Sequence, residues 1–579
     1  MNEVDSRIQP VTIALWGLIV LVYILIIRVP FNHAYLDFGD GNYQYISWRM
    51  TEGVSLYTDI LSPQPPFHLW TGAALVNLSD WIGGEPLYWF RWFTLLLRIA
   101  TSALVGLIAV RLFRSQGRAL LASVILLILP EGYRWSQGYQ SEHLELFLLC
   151  LSLLLTLYGK PWQRNLSPLL AVGAMWTNMS ALPFSILLIL LAVFRNPISW
   201  TPILTAILSL VGLVGVSIGL YGDAYLQNVW SNQVASIPSN PQVWIDSIVT
   251  EGTTIIDHEG LFILLALAGI WRFIQGRDSD GRYGTLERSL IGLWGIASVG
   301  SAIYVVKGGT VDYIFMLAEP ALALFAASAI VTVFSPHQSE VSDEGGTGTL
   351  GELGLGVCRI LLMVGLFVLL MWKPYAFIYS YRNQAGTGVD LRDQSQGRLI
   401  EYSDVEVNTI LRLIDHYTEE GDTIWSPPFF AALTEHPVAE DLSETYLWYV
   451  RWQQNLFAKQ PDPEVDSMIE GMTASLEKTK LPLLLINRRT GQWGHLLIPD
   501  GALRLPSRDG GSEVRLLRDL DPRLEKLQST LEENYHLLLS GPGSEEKLHF
   551  QGWNEGIEVW VSKDVERLPP SWVRVGFGG

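Results

Sequence analysis

Two carboxylates, Asp37 and Asp40, head a polar stretch that directly follows the first apolar run of the chain. From Leu36 to Phe67 it reads LDFGDGNYQYISWRMTEGVSLYTDILSPQPPF. Tyr43 and Tyr45 follow the acids, and the spacing predicts a short amphipathic helix through Trp48. The segment Gly53–Asp59 ends that helix, and Pro63, Pro65 and Pro66 stiffen the exit. A carboxylate at a membrane surface can take a proton from a hydroxyl, and burial raises its affinity for that proton. Paired acids, aromatics and a Pro-Pro turn beside a membrane span therefore suit general-base chemistry. A solvated acidic loop is the plainer alternative.

A second set of charges lies inside or beside the apolar runs. Arg91 and Arg98 fall in the outer half of one run, Glu142, His143 and Glu145 at the outer end of another, and Lys307, Asp312 and Glu319 near a third. Charges at membrane depth are costly and need a reason. Snorkelling accounts for each singly, whereas together they describe a polar outer cavity.

The elements that must position these residues follow from composition. The chain has 579 residues, 49% of them hydrophobic and 17% charged. Mean hydropathy is +0.26. That average joins two unlike parts: a series of apolar runs up to about Trp372, then a sequence of soluble character. Residues 375–579 carry 20 Lys and Arg against 32 Asp and Glu, so −12 of the net −18 lies there. An acidic surface argues against nucleic acid and against docking on anionic lipid. The two cysteines, Cys150 and Cys358, sit in apolar runs and offer neither a disulfide framework nor a metal-thiolate spacing. The run 11–29 is long enough to span, and no small-residue cleavage site follows, which predicts an uncleaved N-terminal span.

Eleven runs read as spans: 11–29, 87–112, 117–131, 143–159, 166–176, 179–195, 201–221, 259–275, 289–306, 311–334 and 353–372. The run 67–83 is apolar enough to be another, and the basic residues decide against it. With 67–83 lying in the outer interface, Arg111, Arg114, Arg118, Lys160, Arg164, Arg195, Arg272, Arg277, Arg282 and Arg288 all fall inside. The loop 222–258, which lacks Lys and Arg, then falls outside. The N-terminus is expected inside and the C-terminus outside, in the plasma membrane. The stretch 335–352 disagrees, being inside yet acidic, and reads as a flexible linker. The short run 166–176 is interrupted by Thr177, Asn178 and Ser180. It reads either as a tight outer turn or as a helix broken at membrane depth.

Beyond Leu399 the pattern predicts helices over 403–417, 442–457 and 521–534, and strands at Thr423–Trp425, Leu481–Ile486, Tyr535–Leu539 and Gly556–Val561. Such alternation predicts an α/β domain. No GxGxxG, phosphate loop or HExxH is present. Pro427, Glu435, Asp441, Glu444 and Trp448 could line a site, although a packed aromatic core explains them as well. The expected domains are a membrane domain over 1–374, with the first outer loop 30–86 as its catalytic part, and a soluble domain over 375–579.

The membrane half resembles the multi-pass glycosyltransferases of the C-type fold that use lipid-phosphate sugars, such as the protein O-mannosyltransferases and the aminoarabinose transferase of lipid A. In that family an acidic motif with a downstream tyrosine opens the first outer loop, and a G-x-x-x-Y-x-D string and a Pro-Pro turn follow. Here DGNYQY at 40–45, GVSLYTD at 53–59 and PQPPF at 63–67 correspond, with DYIFMLAEPALALFAAS at 312–328 matching a later span. The resemblance covers residues 10–375. It departs from the family where Gly41 follows the acid and where Gln64 stands for a basic residue. It implies a polytopic α-helical membrane enzyme that moves a sugar, with inversion, from a polyprenyl-phosphate donor to a lipid, glycan or protein acceptor. A first-loop acid is then the general base: Asp40 on the tyrosine spacing, or Asp37, which could instead help. Tyr43, Tyr45, Asp59 and Gln64 become substrate-binding candidates, and Arg91, Arg98 and Arg134 the candidate cations for the lipid phosphate, because a guanidinium grips phosphate at two points. Glu142 matches the family's second acidic position, for the acceptor or, with Asp37 or Asp40, for an optional divalent metal ion. The rival expectation is a multi-pass transporter or lipid flippase carrying a soluble binding domain. The broken pair at 176–180 suits it, but matching broken segments in two halves are absent.

Overall fold

The structure is a computed structural model. It describes residues 9–36, 40–195, 200–231, 241–277, 283–301, 312–334, 349–387, 402, 404–441, 448, 451–452, 462–478, 481–487, 502–506, 512–516, 520–539 and 557–570. The chain divides into two compact units. One comprises Met1–Phe31, Arg91–Gly215 and Ile237–Asn383, and the other Asn32–Phe90, Val216–Ser236 and Gln384–Gly579.

In chain order the helices up to Thr387 are α1 (Pro10–His33), α2 (Asn42–Thr51), α3 (Pro66–Ile82), α4 (Pro86–Phe113), α5 (Gln116–Ile128), α6 (Pro130–Arg134), α7 (Ser141–Tyr158), α8 (Pro161–Thr177) and α9 (Leu182–Arg195). Then come α10 (Thr201–Leu226), α11 (Pro241–Ile274), α12 (Thr285–Val299), α13 (Glu319–Phe334) and α14 (Thr349–Thr387). Where they are described, the eleven apolar runs fall on helices of this series. Among the described residues, five helical segments are long and apolar enough to cross a membrane: Pro10–His33, Pro86–Phe113, Ser141–Tyr158, Thr201–Ser231 and Ile314–Val333. Gln116–Ile128 and Met179–Arg195 are apolar but shorter.

The burial pattern is that of a bundle in lipid. Leu18 and Leu25 of α1, Trp92 and Leu96 of α4 and Leu208 and Val211 of α10 point outward, while Arg91, Arg98, Glu142, Glu145, Glu259 and Glu319 are buried. In hydrocarbon the apolar side chains lose nothing by facing out, and the ionisable ones must face in. Small hydroxyl residues stitch the helices together. Ser123 Oγ donates to the Ser102 carbonyl at 3.0 Å and Ser185 Oγ to the Ala171 carbonyl at 2.7 Å. Such bonds keep helix backbones close where the hydrophobic effect cannot.

One expectation needs correction, and one alternative is decided. The loop expected over 222–258 is helical from Pro241 onward, because α11 propagates through polar but helix-compatible residues that hydropathy alone leaves out. The interruption at 177–180 is a tight turn: α8 ends at Thr177, a single 3-10 turn spans Met179–Ala181, and α9 follows. The stretch 335–348 and Lys307 lie outside the described residues.

In the second unit α2 packs on α3. Gly72 lies where any Cβ would collide with Ser47, so only glycine permits this approach. Seventeen residues give α3 a rise of about 25 Å, short of the roughly 30 Å of a hydrocarbon core. Only the face bearing His68, Leu69, Gly72, Leu75, Val76 and Ser79 is buried. The later part of this unit holds α15 (Asp404–Tyr417), α16 (Pro428–Thr434), α17 (Pro463–Glu477) and α18 (Pro522–Asn534). Its strands are β1 (Leu483–Asn487), β2 (Ala502–Pro506), β3 (Ser512–Leu516), β4 (Tyr535–Leu539) and β5 (Ile557–Ser562). They form an antiparallel sheet in the order β1-β5-β4 and a separate β2-β3 pair. The expected strand at Thr423–Trp425 is reduced to single bridges, Ile424 to Val438 and Trp425 to Leu484. Most of the expected helix 442–457, including Glu444, lies outside the described residues.

Asp521 caps α18 through the Arg523 N–H at 3.1 Å and accepts the Trp452 indole N–H at 2.9 Å. Burial alone would raise its pKa, but the bonds from Arg523 and Trp452 outweigh it and hold the carboxyl below its ordinary value. A carboxylate so depressed adds stability that is complete above its unfolded pKa and is lost as pH falls through the folded one. Asp521→Asn, which keeps the cap, should cost about 1–3 kcal/mol near neutral pH. In thermal melts of the detergent-solubilised protein the gap from wild type should close below about pH 4.

Candidate functional site

The first-loop candidates all belong to the second unit. Asp37 lies outside the described residues. Asp40 is fully buried in a π-helical turn that leads into α2. Such turns recur at functional positions because they rotate a side chain out of the regular helical track. Tyr43 and Tyr45 are buried as well and make protein contacts. The Tyr43 ring stands edge-on to His68 at 4.9 Å, and the Tyr45 hydroxyl accepts the Val438 N–H at 2.7 Å. Gln44 between them was not singled out by sequence. It is buried, and its Oε1 has no hydrogen-bond partner among the described residues.

Local bonds hold the exit of the loop. Asp59 is exposed and accepts the Ser55 N–H at 2.9 Å, closing a turn. Tyr57 sits at φ 69°, a left-handed conformation that side chains rarely adopt. Its hydroxyl donates to the Gln64 carbonyl at 2.7 Å, and Asn228 donates to its carbonyl at 3.2 Å. Asn228 comes from a second π-helical segment, Gln227–Ser231. Gln64 is half-buried, and Pro65 and Pro66 open α3, where a proline lacks no needed N–H.

The arginines and Glu142 belong to the first unit. Arg98 is fully buried. Its guanidinium pairs with Glu319 and donates to the Leu126 carbonyl, so the expected phosphate ligand is committed inside the bundle. The Gly132 N–H donates to the same Glu319 carboxylate at 2.7 Å, and a Cβ at Gly132 would collide with both partners. Beside it the Glu131 N–H donates to Glu259 at 3.4 Å, and Glu131 Oε1 lies 2.9 Å from His258 Nδ1. Arg91 is buried and donates to the Phe31 carbonyl. Arg134, half-buried, lies with its guanidinium 4.9 Å over the Trp135 ring. Its carbonyl accepts from Tyr381 at 3.0 Å and Gln137 at 2.9 Å.

Glu142 opens α7 and is fully buried. It accepts from Ser141 Oγ at 3.2 Å and from Asn178 Nδ2 at 2.8 Å. Glu145, one turn on, is met by Ser180 Oγ at 3.0 and 3.1 Å, and His143 Nε2 lies 2.8 Å from the Trp135 carbonyl. Asn178 and Ser180 were read from sequence only as interruptions. Their recurrence beside a polar helix start was the available signal. Among the described residues no group of three or more His, Cys, Asp and Glu is arranged to hold a metal ion, and Asp37 of the expected metal set lies outside those residues.

Replacing Arg98 alone would leave Glu319 as an uncompensated buried charge. Arg98→Ala should therefore lose about 3–5 kcal/mol, read as a lower melting temperature and solubilised yield. The double replacement Arg98→Met with Glu319→Met should recover most of that loss, because two packed apolar side chains remove the desolvation cost at both ends.

No known protein family and no curated protein matches the sequence. Solved structures do. The chain is similar to ArnT from Cupriavidus metallidurans, solved bound to undecaprenyl phosphate, with 14% identity and a TM-score of 0.52 over 87% of this chain and 97% of that one. It is also similar to the oligosaccharyltransferase AglB from Archaeoglobus fulgidus, solved with an inhibitory peptide and a dolichol-phosphate, with 11% identity and a TM-score of 0.49 over 93% and 80%. A third likeness is to the arabinofuranosyltransferase AftD from Mycobacteria, with 14% identity and a TM-score of 0.43 over 96% of this chain and 40% of that one. The likeness to ArnT shows the fold: this is a polytopic α-helical membrane protein with the C-type architecture.

Proposed function

We propose that the chain is a membrane glycosyltransferase that moves a sugar from a polyprenyl-phosphate donor to an extracytoplasmic acceptor, whether lipid, glycan or protein. The observation that carries this is Asp40. It is a fully buried carboxylate in a π-helical turn, just after the first span of a chain with the fold of ArnT. In the proposed step Asp40 takes the proton of the acceptor hydroxyl. The acceptor oxygen attacks the anomeric carbon from the face opposite the phosphate. The carbon–oxygen bond to phosphate breaks, and the electron pair leaves with polyprenyl phosphate, so the configuration inverts. Arg134 is the favoured partner for the leaving phosphate, since its guanidinium is less buried than those of Arg98 and Arg91. Arg91 remains a second choice. Glu142 orients the acceptor. Asp37 is an auxiliary acid. The protein works in the plasma membrane, with its N-terminus inside and residues 375–579 outside, where they assist acceptor binding.

Asp40→Asn tests the assignment, assayed as transfer from undecaprenyl-phosphate-linked sugars in membranes. Removing a general base should lower the rate about 10²–10⁴-fold at unchanged solubilised yield. A purely structural role predicts the opposite, because Asn replaces Asp well at a helix start. Asp37→Asn should be weaker or equal. Wild-type rates in Asp40→Asn would take Asp40 out of the mechanism.

A further inference from the structure

The turn between α8 and α9 does more than reverse the chain. Asn178 has extended backbone there, with φ −153° and ψ 133°. Its two side-chain ends do different work. The carbonyl Oδ1 accepts the Ser180 N–H at 3.1 Å and so caps the 3-10 turn. The amide Nδ2 reaches back to the start of α7. There it donates to Glu142 Oε1 at 2.8 Å and to Ser141 Oγ at 3.0 Å. Ser141 Oγ in turn lies 3.2 Å from Glu142 Oε2. Both Glu142 oxygens are thus met by donors that Asn178 itself supplies or orients. Asn178, Ser141 and Glu142 are all buried, so little water competes for these bonds. A buried carboxylate is fixed in direction only by the donors it accepts from, and these bonds set its rotamer.

We propose that Asn178 is a positioning residue for the Glu142 carboxylate. This rests on the role given to Glu142 above. Capping alone would not need an amide: Asp, Ser or Thr at this position would cap the turn as well. What only the amide supplies is a donor to Glu142 from the residue that also makes the turn. The aim of the carboxylate is therefore tied to the geometry of the α8–α9 break.

The decisive variant is Asn178→Asp. It is isosteric and keeps the cap acceptor for Ser180, but it removes the donor and sets a carboxylate against Glu142. Transfer is measured in membranes with a panel of undecaprenyl-phosphate-linked mannose, glucose and arabinose. Solubilised yield and melting temperature serve as folding controls. Asn178→Asp should lower kcat/KM by at least about tenfold, because small misplacements of a reacting group carry losses of that order. Asn178→Ser, which also keeps the cap, should fall between it and wild type. The same change made on a Glu142→Gln background should cost nothing further, since the carboxylate it positions is already gone. Wild-type rates in Asn178→Asp, or losses that multiply with Glu142→Gln, would overturn the proposal and leave Asn178 a cap. Loss of folded protein in both Asn178→Asp and Asn178→Ser would likewise overturn it. Absence of transfer by the wild type across the whole panel would overturn the glycosyltransferase assignment, and this proposal with it.

Discussion

A bundle that faces lipid can hold a charge only where another charge or a polar group meets it, and the Arg98–Glu319 pair meets that constraint across the bundle. Both side chains are buried, and the pair joins α4 to the start of α13. The remaining bonding capacity of Glu319 goes to the backbone of Gly132. The corner Pro130–Arg134 is thereby pinned, helped by Glu259 and His258 on α11. Gly132 is glycine because the pair leaves no space for a Cβ. That corner carries Arg134 and leads within a few residues to Glu142. An ion pair of this kind adds little net stability over apolar packing, yet its geometry is unforgiving once one partner is lost.

In the second unit the first loop depends on the chain beyond residue 400. The Val438 N–H is held by Tyr45, Tyr35 bridges to Tyr402, and His33 lies 2.7 Å from Asp404. Tyr35 also packs on Phe429 at 5.5 Å. Tyr35 and Tyr45 thus tie the loop to the later part of this unit, while Tyr43 packs on His68 within it.

Much of this was legible in the sequence. Apolar runs mark spans because few other sequences survive in hydrocarbon, and where they are described these runs fall on helix. Periodicity found Asp404–Tyr417 and Pro522–Asn534, and alternation found Tyr535–Leu539. The helix Pro463–Glu477 was equally readable and was missed: Asp462 caps it, Pro463 opens it, and Val465, Met468, Ile469, Met472 and Leu476 keep helical spacing. Partners were not legible. Arg98 looked free for a phosphate because Glu319 lies 221 residues away. Tyr43 and Tyr45 looked available for substrate because burial by a distant segment leaves no local mark. Asn178 read as a helix breaker because its amide finds Glu142 only after α7 and α8 pack.

The proposed transfer breaks a bond at the lipid phosphate, and the fate of the lipid tests that most directly. Purified protein in vesicles would be given an undecaprenyl-phosphate-linked sugar and an acceptor mixture, and the lipid fraction followed by mass spectrometry. Glycosyl transfer predicts undecaprenyl phosphate appearing in step with the loss of the sugar-lipid, at a rate that depends on acceptor. Intact sugar-lipid crossing to the opposite leaflet, with no undecaprenyl phosphate released, would contradict the account and make the protein a transporter.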